Sequence, residues 1–197
     1  MSAKENWAAK QKRRQKMAKL DKAEWPKTAQ ELEKVLQGVK YGWVDNDYRH
    51  YSDVDENYSE KYRLQAPEEL KKSKLGVCWD QVELERSLLP TDIERKTVFL
   101  VYYGTKECPT HTVLLFEEDG KVYWYEHAWE KYRGVYEYQD FDAAIADIAR
   151  KWLEYEAEQL GGDLDTDQFA IYEYEAPRPG TNTNEFYKWA EAGKRLK

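Results

Sequence analysis

The sequence predicts an α+β domain in which a helix carrying a nucleophilic cysteine packs on an antiparallel sheet. Two observations lead there. At Leu75-Gly76-Val77-Cys78-Trp79-Asp80-Gln81 a glycine puts Cys78 where a loop turns into an amphipathic helix, continued by Val82, Leu84, Leu88 and Leu89. After Pro90 the pattern changes from helical to period-two alternation, broken by Gly and Asp-Gly signals, as sequential antiparallel strands require. At 197 residues the chain is long enough to bury the core of one domain without staples.

Residues 1–26 read as a basic helical extension. Ala, Lys, Gln and Arg favour helix there, but Trp7, Met17 and Leu20 give it little to bury, so residues 1–22 are expected to stand apart from the core. Trp25-Pro26 breaks it, and the domain proper is placed at 27–197. Thr28 and Glu31 predict a capping box ahead of Leu32, Val35 and Leu36, and Gly38 ends that helix. A short extended piece at 39–45 then leads into a long polar loop through Tyr62. Loops of that length in a compact domain are usually functional. Pro67 opens a short helix, which delivers the chain to Gly76.

Strands are expected at 97–103, 111–117, 121–127, 133–138 and 168–174, with Asp119-Gly120 as a hairpin turn. Between the last two lies a long helix with Asp140 as its N-cap and Gly161-Gly162 closing it. A C-terminal helix over 184–192 carries Phe186 and Trp189 on its apolar face.

Charge is unevenly spread. The net charge is −7, yet residues 1–22 hold eight Lys or Arg against Glu5 and Asp21, a surplus of +6 that leaves −13 for the rest. The arm can make a weak nucleic-acid contact, whereas the acidic body argues against extended phosphate binding by the domain. A charged N-terminus and the lack of a long apolar run point to a cytoplasmic protein without membrane contact, whose two cysteines stay free thiols. No phosphate-cradling glycine motif occurs, so no cofactor is expected. The segment Asp53-Val54-Asp55-Glu56-Asn57 lacks the glycine and terminal glutamate of a calcium loop.

A thiol at a helix start lies over unpaired N–H groups and the positive end of the helix dipole, which favours thiolate. Thiol hydrolases and acyltransferases add a base beside the sulfur and an acid that orients the base. His111 opens a strand downstream of the cysteine helix, and Glu126 ends the strand paired to it, so imidazole and carboxylate can meet across the hairpin. His127 points to the opposite face from Glu126, and His50 reads as a surface residue.

These residues carry a family resemblance. Gly76-Val77-Cys78-Trp79-Asp80, His111-Thr112-Val113, and Trp124-Tyr125-Glu126-His127-Ala128-Trp129 resemble the core of the transglutaminase-like superfamily. That is the papain-like fold shared by transglutaminases, bacterial thiol peptidases and, more distantly, arylamine N-acetyltransferases. The resemblance covers residues 39–138 and implies a transglutaminase-like domain with Cys78, His111 and Glu126 as catalytic triad, glutamate standing where aspartate is usual. The whole chain is similar to small transglutaminase-like proteins of bacteria and their phages, including Tyr41-Gly42-Trp43-Val44-Asp45 and the closing Glu185, Phe186, Gly193 and Lys194. The implied activity is acyl transfer or amide hydrolysis on a protein, peptide or small amide, as peptidase, amidase or transamidase. Trp43 and Trp79 are expected to bind substrate. The Cys78 N–H is expected as one oxyanion donor, with the Trp43 indole or a nearby backbone amide as the second. Two other readings are a catalytically silent binding or inhibitor module of the same fold, and a Cys2His2 zinc site formed by Cys78, Cys108, His111 and His127.

Overall fold

A computed structural model describes residues 19–54 and 57–197. It is α+β, with helices packed against both faces of a six-stranded sheet. In chain order the elements are α1 (Lys27–Leu36), β1 (Trp43–Val44), β2 (His50–Tyr51), α2 (Tyr58–Lys61), α3 (Pro67–Ser73), α4 (Cys78–Leu88) and β3 (Arg95–Tyr102). Then follow β4 (Thr110–Glu118), β5 (Lys121–Glu126), β6 (Gly134–Tyr138), α5 (Phe141–Leu160), β7 (Phe169–Glu173), α6 (Thr183–Glu191) and β8 (Lys194–Arg195). The sheet runs β6-β5-β4-β3-β7-β8 with every neighbouring pair antiparallel.

Alternation along the strands sends Val98, Leu100, Val113, Leu115, Val122 and Trp124 to one face, where Ile148 and Trp152 of α5 cover them. Asp140 caps α5 by accepting from the Ala143 N–H at 2.8 Å, and Gly161 ends it with φ +73°. The cap stabilises by about 1 kcal/mol, less than the roughly 1.5–3 kcal/mol for each large apolar side chain buried. Packing therefore holds the helix and the cap sets where it starts. The opposite face, with Leu114, Phe116, Phe99 and Val101, receives α1, α4 and α6.

α4 differs from the amphipathic helix expected. Every residue from Cys78 to Glu85 is buried, because the sheet lies on one side and α1 and α3 close the other. Its polar side chains are therefore interior: Gln81 Nε2 donates to the Gly76 carbonyl (2.8 Å), and Glu83 pairs with Arg86 (3.1 Å).

The Asp119-Gly120 hairpin has φ of +52° and +73°, as a two-residue turn matched to the strand twist needs. The expected capping box of α1 does not form. Glu118, at the end of β4, instead accepts from the N–H groups of Lys27 and Thr28, both at 3.1 Å, and does the work of a cap from across the fold. The long polar loop is also more ordered than its composition suggests. Asp45 Oδ1 accepts from the Asp47 and Arg49 N–H groups (2.8 and 2.9 Å) and Oδ2 from the Tyr51 hydroxyl (2.9 Å), which pins the β1–β2 ribbon.

Residues 1–18 of the basic extension lie outside the described residues, as do Asp55 and Glu56 of the acidic loop. The rest of the extension is docked rather than separate. The Leu20 N–H donates to the Val135 carbonyl (2.8 Å) at the edge of β6, and the Trp25 ring meets Tyr125 edge-on at 6.0 Å. Among the described residues no helix is long and apolar enough to cross a membrane.

Candidate active site

Gly76 is required by close approach: a Cβ there would lie 2.7 Å from Leu70 Cδ1 and 2.9 Å from Asp80 Cβ. Val77 is extended (φ −75°, ψ 176°), and Cys78 is the first helical residue of α4. Its N–H belongs to the first turn, whose donors have no intrahelical acceptor. Asp80 turns away from the sulfur to cap the helix. Its Oδ2 accepts from the Val77 N–H (3.0 Å), and its Oδ1 accepts from the Gln65 N–H (2.8 Å) and the Tyr62 hydroxyl (3.1 Å). Burial still dominates over these bonds and pushes the Asp80 carboxyl up to about 7.

His111 and Glu126 are brought together by a split in the sheet. β4 and β5 pair only between Leu115↔Trp124 and Glu118↔Lys121. Before Leu115, β4 stays with β3 (Leu100↔His111), while the end of β5 stays with β6 (Glu126↔Gly134). The two side chains face each other across the opening, with His111 Nε2 and Glu126 Oε2 2.9 Å apart. Glu126 Oε1 accepts from the Trp129 N–H at 2.7 Å, so both carboxylate oxygens are held. The longer glutamate side chain bridges this gap. The Trp129 ring meets the imidazole edge-on at 5.2 Å.

The imidazole also interacts with the Cys78 thiol. Burial alone disfavours a charged ring, but the Glu126 charge and hydrogen bond, together with the Cys78 thiol and its charge, outweigh it and push His111 up to about 10. A third group near the sulfur is Tyr41, whose hydroxyl interacts with the Cys78 thiol. Burial of that hydroxyl, then the charges of Cys78 and Asp80, raise it well above the ordinary phenol range, so it stays a proton donor. The residue as a whole is 45% exposed while Cys78 is 3% exposed, so Tyr41 spans from solvent to the thiol.

Two carboxyls beside this group escaped the sequence reading. Glu85 lies two turns after Cys78, on the same helix face, and burial followed by the Glu126 charge raises it well above the usual carboxylate range. Glu156 of α5 is raised by burial, with His111 opposing. The seven-residue spacing from Cys78 to Glu85 was the available signal. Tyr41 stands in the sequence reading only as part of the segment Tyr41-Gly42-Trp43-Val44-Asp45.

Other expected site residues lie elsewhere. Trp43 is fully buried, stacks on Tyr51 at 4.0 Å, and its indole N–H donates to the Asp53 carbonyl (2.8 Å), which leaves nothing for an oxyanion. Trp79 stacks on Phe186 at 3.9 Å, in the interior rather than on a substrate surface. His127 does face away from Glu126, with Nε2 at the Val39 carbonyl (3.1 Å) and Nδ1 at the Tyr125 hydroxyl (3.3 Å). His50 is exposed. Cys108 is half-buried in a left-handed turn (φ +47°), with its thiol raised by burial and Glu191. Cys78, Cys108, His111 and His127 do not converge, and no cluster of three or more His, Cys, Asp or Glu fit for a metal occurs among the described residues. No family model matches the chain, and no curated protein matches it significantly.

Proposed function

We propose that the chain is a cysteine-dependent acyltransferase or amide hydrolase of transglutaminase-like type, acting through Cys78, His111 and Glu126. The observation that carries the reading is the buried His111–Glu126 pair (2.9 Å), whose imidazole also interacts with a cysteine at a helix N-terminus. With His111 pushed up to about 10, the proton rests on the imidazole at neutral pH and an imidazolium faces the sulfur.

The sulfur attacks an amide carbonyl, and the oxyanion is held by the Cys78 N–H and the Tyr41 hydroxyl. His111 gives its proton to the leaving amine, and the C–N bond breaks to leave a thioester. Water or an amine then attacks the thioester and gives its proton to His111, and the C–S bond breaks to release the acyl product and restore the Cys78 sulfur. Glu126 orients the ring and supports its charge throughout. Because the thiol is nearly covered, substrate entry needs side chains around Cys78 to give way.

That same burial is the observation favouring a catalytically silent binding module. Labelling with iodoacetamide, read by mass spectrometry at each cysteine from pH 5 to 9, separates the two. Catalytic competence predicts that Cys78 reacts faster than Cys108 below neutral pH and that His111→Ala shifts its profile upward. Equal reactivity of the two thiols, with a profile indifferent to His111→Ala, would leave only the binding module.

A further inference from the structure

A pocket of 520 Å³ lies between α2 and α6, lined by Ser59, Thr183, Asn184, Tyr187, Lys188 and Glu191. Its wall is shared with the aromatic shell of the thiol. Tyr187 packs edge-on against Trp79 at 5.7 Å, Tyr58 (the neighbour of Ser59) lies 6.1 Å from the same ring, and Trp79 directly follows Cys78. Both tyrosines also feel the charge of the Cys78 sulfur.

The lining is of mixed character. Among the described residues Lys188 has no acidic partner and Glu191 has no cationic one, Glu191 Oε1 accepting only from the Tyr103 hydroxyl (2.6 Å). Three residues apart on one helix face, their side chains are neighbours. Thr183 adds a buried Oγ1 without a partner. One unpaired cation, one acid with no cation and a hydroxyl and amide lining match a ligand that presents both charges close together.

We propose that this pocket holds the α-ammonium and α-carboxylate of an amino acid whose side chain carries the amide that Cys78 attacks, with Lys188 at the carboxylate and Glu191 at the ammonium. Both charges sit on one carbon only in a free amino acid or one linked through its side chain, which excludes an internal peptide residue. To reach the sulfur the side chain has to part Tyr58 and Tyr187, which pack in one cluster with Cys78 and Trp79. There the C–S bond forms as the amide C–N bond breaks, and the amine leaves with the His111 proton. The inference rests on Cys78 being the nucleophile.

The test uses four alkylating probes with similar tails on the intact protein: Nε-iodoacetyl-lysine (both charges), iodoacetamidohexanoate (carboxylate only), N-iodoacetylcadaverine (ammonium only) and N-butyl iodoacetamide (neither). Each forms a thioether at Cys78 and releases iodide. Two exposed charge pairs should accelerate the zwitterionic probe roughly tenfold over the butyl probe, about threefold per charge. Lys188→Met should remove the advantage of the carboxylate and Glu191→Gln that of the ammonium, while plain iodoacetamide reacts equally in all three proteins. If iodoacetamide labels Cys78 but the zwitterionic probe gains nothing, or keeps its gain in both variants, this proposal is overturned and the proposed activity stands. If Cys78 resists iodoacetamide as well, both fall together.

Discussion

Glu126→Gln isolates what the carboxylate does, because the amide keeps the shape and can still offer its oxygen to the Trp129 N–H, now 2.7 Å from Glu126 Oε1. The amide nitrogen then faces His111 Nε2, where the carboxylate oxygen lay at 2.9 Å. The charge that opposes burial at His111 is gone, and burial pulls the ring toward its neutral form. A charge-assisted hydrogen bond of this kind contributes about 1.5–3 kcal/mol, which is roughly ten- to hundredfold in the imidazole's protonation equilibrium. The His111 titration, followed by NMR at the imidazole, should therefore move down by about one to two pH units, with the ring still charged at pH 6 in both proteins and the difference appearing between about pH 8 and 10. Thermal unfolding should shift only slightly, since the Trp129 N–H keeps an acceptor. A Glu126→Gln profile that superimposes on the parent profile would refute the reasoning, since His111 would then owe nothing to the carboxylate.

Asp80→Asn should flatten the acid side of the stability curve. The folded carboxyl is raised from 3.8 to about 7, so its stabilisation is complete below pH 3.8 and is lost as pH rises through about 7. Equilibrium denaturation of the parent should therefore weaken by up to about 1.4 kcal/mol per pH unit in that window. The variant starts lower, by about 1–3 kcal/mol for a misdirected amide against the Val77 or Gln65 N–H, but the gap closes toward pH 8; parallel curves would count against it. Tyr41→Phe should slow acylation of Cys78 by p-nitrophenyl acetate roughly hundredfold through loss of an oxyanion donor, without slowing alkylation, which has no oxyanion. Glu118→Ala leaves the Lys27 and Thr28 N–H groups without their acceptor and should cost about 1 kcal/mol, seen as a fall of about 2–4 °C in Tm.

Signals legible in the sequence alone were those whose partners lie within a few residues. Pro67 at a helix start, Asp140 as a cap, Gly161 as a stop and Asp119-Gly120 as a hairpin each act on neighbouring backbone, so their meaning survives without tertiary context. The strand alternation belongs with them, because the period of two is a property of the extended chain. The residue types of the candidate site, a cysteine before a helix, a histidine opening one strand and a glutamate closing the next, were legible for the same reason.

Only the tertiary structure decided what depends on distant partners. Glu118 replaces the local capping box of α1 from some ninety positions away, a choice that rests on where the β4–β5 hairpin ends. β4 and β5 part before His111 because each keeps its other neighbour, and sheet geometry rather than composition opens the gap that His111 and Glu126 share. Trp43 and Trp79 went to the core instead of a cleft because an aromatic ring suits either until its stacking partners, Tyr51 and Phe186, are known. Tyr41 came near the sulfur by the same rule in reverse: its hydroxyl meets the Cys78 thiol only once Lys40 pairs with Leu75 in the segment leading into α4. Local hydrogen bonds and periodicity are written along the chain, whereas burial and long-range partners are set when separate segments pack.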